Sequence, residues 1–150
     1  MQDITRGSAW PWTLAALNGL AATAAHLWLA HQWQPTAISL FEIAAMLAHF
    51  TALAMLLAVV PWLMTRFGVR LSFSMAAATL IFGTLLLVVI VNAMVYALYK
   101  FHLNSMVWFL LTQGAAMQTL SFSSQTWFAA IAIAVSIYTA QLGVAWAIAR

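Results

Sequence analysis

The residues of this sequence that could do chemistry are a few polar side chains set in long apolar stretches. They are histidines, carboxamides and one carboxylate: Asn18, His26, His31, Glu42, His49, Asn92, His102, Asn104 and Gln141. Polar groups are costly to place in hydrocarbon, so inside membrane helices they usually face a bundle interior or a water-filled cavity and often have a function. These side chains are therefore the first candidates for ligand binding or proton transfer.

The histidines raise the question of haem. His26 lies about seven residues from the outer end of its apolar stretch and His49 about eleven, a difference in depth of roughly 6 Å at 1.5 Å per residue. This offset favours histidines that hydrogen-bond between helices over a shared haem. We predict no cofactor, with haem ligation through His26 or His49 as the alternative, which a Soret band in the absorption spectrum would reveal.

Glu42 is the one acidic residue outside the N-terminal tail, and it lies near the start of the second apolar stretch. Three uses are open to it: a contact with His31, a carboxylate that reaches the water interface, or a proton or cation site. Intramembrane relays usually contain further acidic groups. The second carboxylate of such a relay is missing here.

No set of catalytic residues can be assembled. The sequence has no cysteine, which excludes thiolate metal sites, thiol nucleophiles and disulfides. Asp3 lies in the N-terminal tail and Glu42 within an apolar stretch, so neither a Ser-His-Asp triad nor a pair of carboxylates is available. We predict no catalytic residue, no metal ligand and no enzyme activity in this chain.

Composition indicates which solvent surrounds the fold. The chain has 150 residues, 66% of them hydrophobic and 5% charged, and a mean hydropathy of +1.00. Soluble domains carry about 25% charged residues. Seven charges cannot cover a surface in water, so a soluble enzyme is excluded, and the scattered basic residues form no stripe for nucleic acid. Membrane lipids are the expected partners.

Four stretches have the length of a membrane span, which needs about 20 mostly apolar residues. They cover about 10–32, 38–64, 71–99 and 126–148. The predicted fold is an all-α integral membrane protein, a bundle of four transmembrane helices that forms a single domain over residues 1–150. Between the third and fourth spans, the segment at about 101–111 is amphipathic and aromatic, which predicts an interfacial helix.

The basic residues indicate the orientation of the spans. With a cytoplasmic N-terminus, all but Lys100 lie on the cytoplasmic side: Arg6, Arg66, Arg70 and Arg150. The positive-inside rule therefore predicts that both termini are cytoplasmic. Arg66 and Arg70 flank a short turn, where they are predicted to contact anionic lipid headgroups.

Small residues recur every four positions on three of the predicted helices. The sets are Ala15, Gly19 and Thr23; Ala44, Ala48 and Ala52; and Ala132, Ser136 and Ala140. Small side chains at this spacing allow helix backbones to approach closely in lipid. They predict the faces on which the helices of the bundle pack.

The most distinctive segment runs from Asn92 to Trp108 and combines aromatic residues, one lysine and a His-Leu-Asn run. It resembles the end of the third span in the N-terminal membrane domain of the PbgA/YejM family, inner-membrane proteins of Gram-negative bacteria with a sulfatase-like periplasmic domain. The residues that fit the pattern are Tyr96, Lys100, Phe101, His102, Leu103, Asn104, Val107 and Trp108. Asn92 stands where the family pattern has an acidic residue, so no carboxylate acts there.

The resemblance implies a non-catalytic domain of the bacterial inner membrane that anchors a periplasmic sulfatase-like domain and contacts envelope lipids. A role in sensing lipopolysaccharide or phospholipid, or in modifying lipids, would follow. Any hydrolase or transferase domain would lie beyond residue 150, and a membrane protein is a further expected partner. Headgroup contacts are expected from a collar at the outer surface: Lys100, His102, Asn104 and Trp108. The alternative is a self-contained four-span subunit of a membrane complex, such as a haem-binding or transporter component.

Overall fold

The computed structural model of the chain describes residues 9–33, 39–99, 109 and 124–150. These residues form four long helices: α1 (Trp10–Trp33), α2 (Leu40–Arg66), α3 (Leu71–Tyr99) and α4 (Ser124–Ala149). No strand occurs in these ranges, so the prediction of an all-α chain is confirmed for them.

Three of the helices are long and apolar enough to cross a membrane: α2, α3 over Leu71–Tyr96, and α4. Within the described ranges α1 does not meet this criterion, because it carries amides and histidines among its alanines. A crossing by α1 therefore stays a prediction. The predicted interfacial segment lies outside the described residues except for Phe109.

The centre of the bundle is formed by α1 and α3, since each of them packs against all three other helices. The buried positions of α1 recur every three or four residues, as one face of a helix requires; they include Leu14, Asn18 and Ala22. The buried face of α2 is Phe50, Ala54, Ala58 and Pro61. In α4 only Gln141 and Ala145 are buried, so this helix is held by few side chains.

The outer surface of the bundle differs from that of a soluble domain. Large hydrophobic side chains are exposed along the helices, for example Leu56, Leu80 and Ile131. The interior is mostly apolar, with residues such as Leu14 and Phe82, and it also contains a set of polar side chains: Asn18, Thr23, Ser74, Thr79 and Gln141. Exposed apolar surface on this scale marks a membrane or protein interaction surface. The helices are thus built to face hydrocarbon.

Of the three predicted small-residue faces, one is confirmed. Ala15, Gly19 and Thr23 are buried on α1. The predictions for α2 and α4 were wrong, because their sets are exposed: Ala44, Ala48, Ala52, Ala132, Ser136 and Ala140. Since these helices are apolar on every side, spacing alone does not reveal which face turns inward.

The connection between α2 and α3 is a Schellman turn. Val69 N–H donates to the Met64 carbonyl (2.9 Å) and Gly68 N–H to the Thr65 carbonyl (3.2 Å), and Gly68 has a φ of 75°. These bonds satisfy carbonyls that the end of a helix leaves without a partner. The turn reverses the chain sharply, which keeps Arg66 and Arg70 at the same end of the bundle.

The other end of α2 begins with a capping box. The Ser39 hydroxyl accepts from Glu42 N–H (3.2 Å), while the Glu42 carboxylate accepts from Ser39 N–H (2.7 Å) and from the Ser39 hydroxyl (3.0 Å). This arrangement satisfies the first orphan N–H groups of the helix. Glu42 is therefore a helix-capping residue.

Removing this cap is expected to lower stability. Ser39→Ala should cost about 1 kcal/mol, the usual effect of losing a serine N-cap. The free energy of unfolding, measured by denaturant titration in detergent micelles, checks the value. Ser136→Ala is the control, because the Ser136 hydroxyl only donates to the Ala132 carbonyl within an exposed helical turn. Equal losses in both variants would contradict a capping role.

Candidate functional site

A pair of buried carboxamides joins α1 to α4. Gln141 Nε2 donates to Asn18 Oδ1 (2.6 Å), and Asn18 Nδ2 donates to Gln141 Oε1 (3.2 Å) and to the Leu14 carbonyl (2.9 Å). Both residues are at most 8% exposed. In a dry interior such a reciprocal pair holds two helices in one register, because the two hydrogen bonds between the amides form only when the residues lie side by side.

A second polar contact joins α4 to α3. The hydroxyls of Thr84 and Tyr138 are 2.9 Å apart, within hydrogen-bonding distance. The Tyr138 ring packs directly on Gly83, where a side chain would collide with it. The absence of a side chain at Gly83 therefore makes room for the aromatic ring that carries the hydroxyl.

Two further contacts fix α2. The Ser74 hydroxyl donates to the Pro61 carbonyl (2.9 Å), which ties α3 to the point where proline interrupts the hydrogen bonding of α2. At Gly19, α1 approaches α2 so closely that an added Cβ would lie 2.7 Å from Thr51 Cα. Together with the pairs on α4, these polar and backbone contacts fix how the helices pack against one another.

The predicted intramembrane histidines lie along α1 and α2. The rings of His26 and His49 both pack against Phe50, with centroid separations of 5.7 and 5.5 Å. His26 is half-buried and His49 is exposed. The two rings therefore share Phe50 as a neighbour, although the sequence predicts that they lie at different depths in the membrane. Haem ligation by either of them stays the alternative prediction.

The other predicted intramembrane residues are placed separately. His31 belongs to α1, and its side chain lies outside what the structure describes. Glu42 caps α2, and Asn92 is half-buried on α3. Within the described ranges, no group of three or more potential metal-ligating side chains comes together. The predicted polar residues therefore do not converge on one centre.

One end of the bundle collects the described basic side chains. Arg66 ends α2, Arg70 precedes α3 and Arg150 follows α4, and all three are exposed. The first turn of α1 lies at this end too, since the Trp12 and Trp62 rings pack at 6.0 Å. We call this region the arginine end. Glu42, the one acidic residue among those described, lies at the opposite end of α2.

A groove opens at the arginine end between α3 and α4. It encloses about 330 Å³ and is lined by Leu71, Ser72, Met75, Leu142, Trp146, Ala149 and Arg150. The Arg150 guanidinium lies 3.6 Å from the centroid of the Trp146 ring, a cation–π contact. An apolar cleft with a cation at its mouth suits an amphiphilic anion.

Of the residues predicted to contact headgroups, Arg66 and Arg70 are exposed at the arginine end. The others lie outside the described residues: Lys100, His102, Asn104 and Trp108. The sequence argument did not single out the Asn18–Gln141 pair or the Trp146–Arg150 pair. Two signals in the sequence could have found them. Asn18 lies as far from the start of α1 as Gln141 lies from the end of α4, and Trp146 and Arg150 are four residues apart on one helix face.

These features define a class of protein: a helical membrane domain with apolar outer faces, a few buried polar contacts between its helices and one arginine-bearing end. The chain belongs to the family described as "Domain of unknown function (DUF3413)", whose sequence model matches residues 7–150. No curated protein and no solved structure gives a significant match. The family description names no activity.

Proposed function

We propose that this chain is a non-catalytic domain of the bacterial inner membrane that anchors a periplasmic sulfatase-like domain and contacts envelope lipids. The exposed apolar surface carries the membrane placement: large side chains such as Leu56 and Ile131 face outward, while the polar Asn18 and Gln141 pair inside. Hydrocarbon is the solvent in which this arrangement is favourable.

Family membership supports the anchoring role. The DUF3413 match covers residues 7–150, and in this proposal the domain corresponds to the N-terminal membrane domain of the PbgA/YejM family. The segment from Asn92 to Trp108 carries the same resemblance in its own residues. In this proposal four spans cross the membrane, residues 101–111 lie on its outer surface, and both termini are cytoplasmic.

The arrangement of charge supports the orientation. Arg66, Arg70 and Arg150 lie at one end of the bundle, and basic residues near span ends favour the cytoplasmic side. The opposite end carries Glu42. The collar, which begins at Lys100, would then contact the lipids of the outer leaflet.

The anchoring role is tested by the reading frame of the gene. The proposal expects coding sequence beyond Arg150 for one more span, because a cytoplasmic end must cross once more to reach the periplasm, and then for a sulfatase-like domain. A stop codon directly after Arg150 would overturn the anchoring role. It would favour a self-contained subunit of a membrane complex.

The lipid role is tested by changing the collar. The double variant His102→Ala and Asn104→Ala should retain less lipopolysaccharide when the protein is extracted in native nanodiscs and its lipids are measured by mass spectrometry. A decrease of more than about tenfold is expected, because each hydrogen bond to a charged group contributes about 1.5–3 kcal/mol and about 1.4 kcal/mol is a factor of ten. Thr112→Ala with Gln113→Ala, in the same connection between the third and fourth spans but outside the collar, is the control. Unchanged lipid in the collar variant would contradict lipid contact there.

A further inference from the structure

We propose that the groove between α3 and α4 binds one anionic glycerophospholipid of the cytoplasmic leaflet, with its phosphate at Arg150 and an acyl chain along Leu142. This inference rests on the membrane placement proposed above. It adds a second lipid site, at the end of the bundle opposite the collar.

The shape of the groove matches the orientation of a phospholipid. Arg150 stands at its mouth, and Leu142 lies eight residues earlier on α4, about 12 Å further along the helix axis. The antiparallel wall consists of Leu71 and Met75 at the start of α3. The cation thus lies at the membrane surface while the apolar walls continue into the hydrocarbon.

Arg150 is positioned for a phosphate. Its guanidinium stacks on Trp146, which is half-exposed and lines the same groove. Stacking restricts the long arginine side chain without using its N–H donors, so these remain available for phosphate oxygens. Tryptophan is itself favoured at the level of lipid headgroups.

Further features of this end favour an anion over a zwitterion. Arg70 directly precedes Leu71, the first residue of α3 in the groove, and Ser72 adds a hydroxyl to its lining. The described carboxylate, Glu42, is at the far end of α2. The local charge therefore complements a phosphodiester with no cationic headgroup.

The test uses the full chain in nanodiscs doped with phosphatidylglycerol or phosphatidylcholine, each brominated near the glycerol end of its acyl chain. Bromine quenches the fluorescence of nearby tryptophans. The contribution of Trp146 is the fluorescence of the wild type minus that of Trp146→Phe. We expect half-maximal quenching of Trp146 at an about fivefold lower mole fraction of brominated phosphatidylglycerol than of brominated phosphatidylcholine, because one arginine at a membrane surface contributes about 1 kcal/mol. Arg150→Gln should abolish this preference. Arg66→Gln, a change at the same end but outside the groove, should keep it.

Trp127 lies at the opposite end of α4 and is half-exposed. Quenching of its fluorescence distinguishes a failure of the groove proposal from a failure of the membrane placement. If Trp127 is quenched by both lipids while Trp146 shows no preference, or if Arg150→Gln keeps the preference, the groove proposal is overturned and the membrane placement stands. If neither tryptophan is quenched, the chain is not in the bilayer and both proposals fail.

Discussion

Replacing Gly19 by alanine is expected to force α1 away from α2. A Cβ at this position would lie 2.7 Å from Thr51 Cα and 2.6 Å from Thr51 Oγ1. Because the first of these atoms belongs to the backbone, a change of rotamer cannot relieve the collision, and a helix must shift. Overpacking of this kind costs about 1–3 kcal/mol. The free energy of unfolding in detergent should fall by that amount.

Gly143→Ala is the matched control for Gly19→Ala. Gly143 lies within α4, and an added Cβ there would meet no atom within 4 Å. Alanine favours the helix over glycine by about 0.5–1 kcal/mol, so this variant should be as stable as the wild type or slightly more stable. If Gly19→Ala had the same free energy of unfolding as Gly143→Ala, this result would contradict a close approach of α1 and α2.

Breaking the Asn18–Gln141 pair is expected to loosen α4 from the bundle. Asn18→Leu removes both interhelical hydrogen bonds and leaves the buried Gln141 amide without its partner. The free energy of unfolding should fall by about 1–3 kcal/mol, the cost of an unsatisfied buried polar group. The effect on α4 should be large, because only Gln141 and Ala145 of that helix are buried.

A double-mutant cycle separates the pair from simple packing. Asn18→Leu combined with Gln141→Leu should recover part of the lost stability, with a coupling energy of about 0.6–1.7 kcal/mol, the range for interhelical hydrogen bonds in membranes. Unfolding in detergent micelles gives all four free energies. Strictly additive losses would show that the two amides do not interact.

The helices themselves were predictable from the sequence. Pro35 and Gly68 interrupt runs that are otherwise apolar for more than twenty residues, so α1 ends and α2 begins near Pro35, and α2 ends and α3 begins near Gly68. Which face turns inward was less accessible. α1 shows its inner face because Asn18 and Gly19 differ in kind from their neighbours, whereas the alanines of α2 are alike on every side.

The candidate sites were predictable only in part. Charge counting found Arg66 and Arg70, since each stands alone in an apolar sequence. The groove was missed because it is formed by the start of α3 and the end of α4, about 75 residues apart in the chain. The amide pair joins residues 18 and 141. Such long-range pairing depends on helix packing, which a single sequence does not specify.

Labelling at the two ends of α2 tests the account most directly. The chain has no cysteine, so Leu40→Cys and Phe67→Cys each introduce a single reactive site at an exposed position. The 27 residues of α2 span about 40 Å, more than the roughly 30 Å of a bilayer core. In intact spheroplasts, a membrane-impermeant maleimide should label Leu40→Cys, and it should label Phe67→Cys only after lysis. Labelling of both cysteines in intact spheroplasts, or of neither before lysis, would contradict a crossing helix with its arginine end in the cytoplasm.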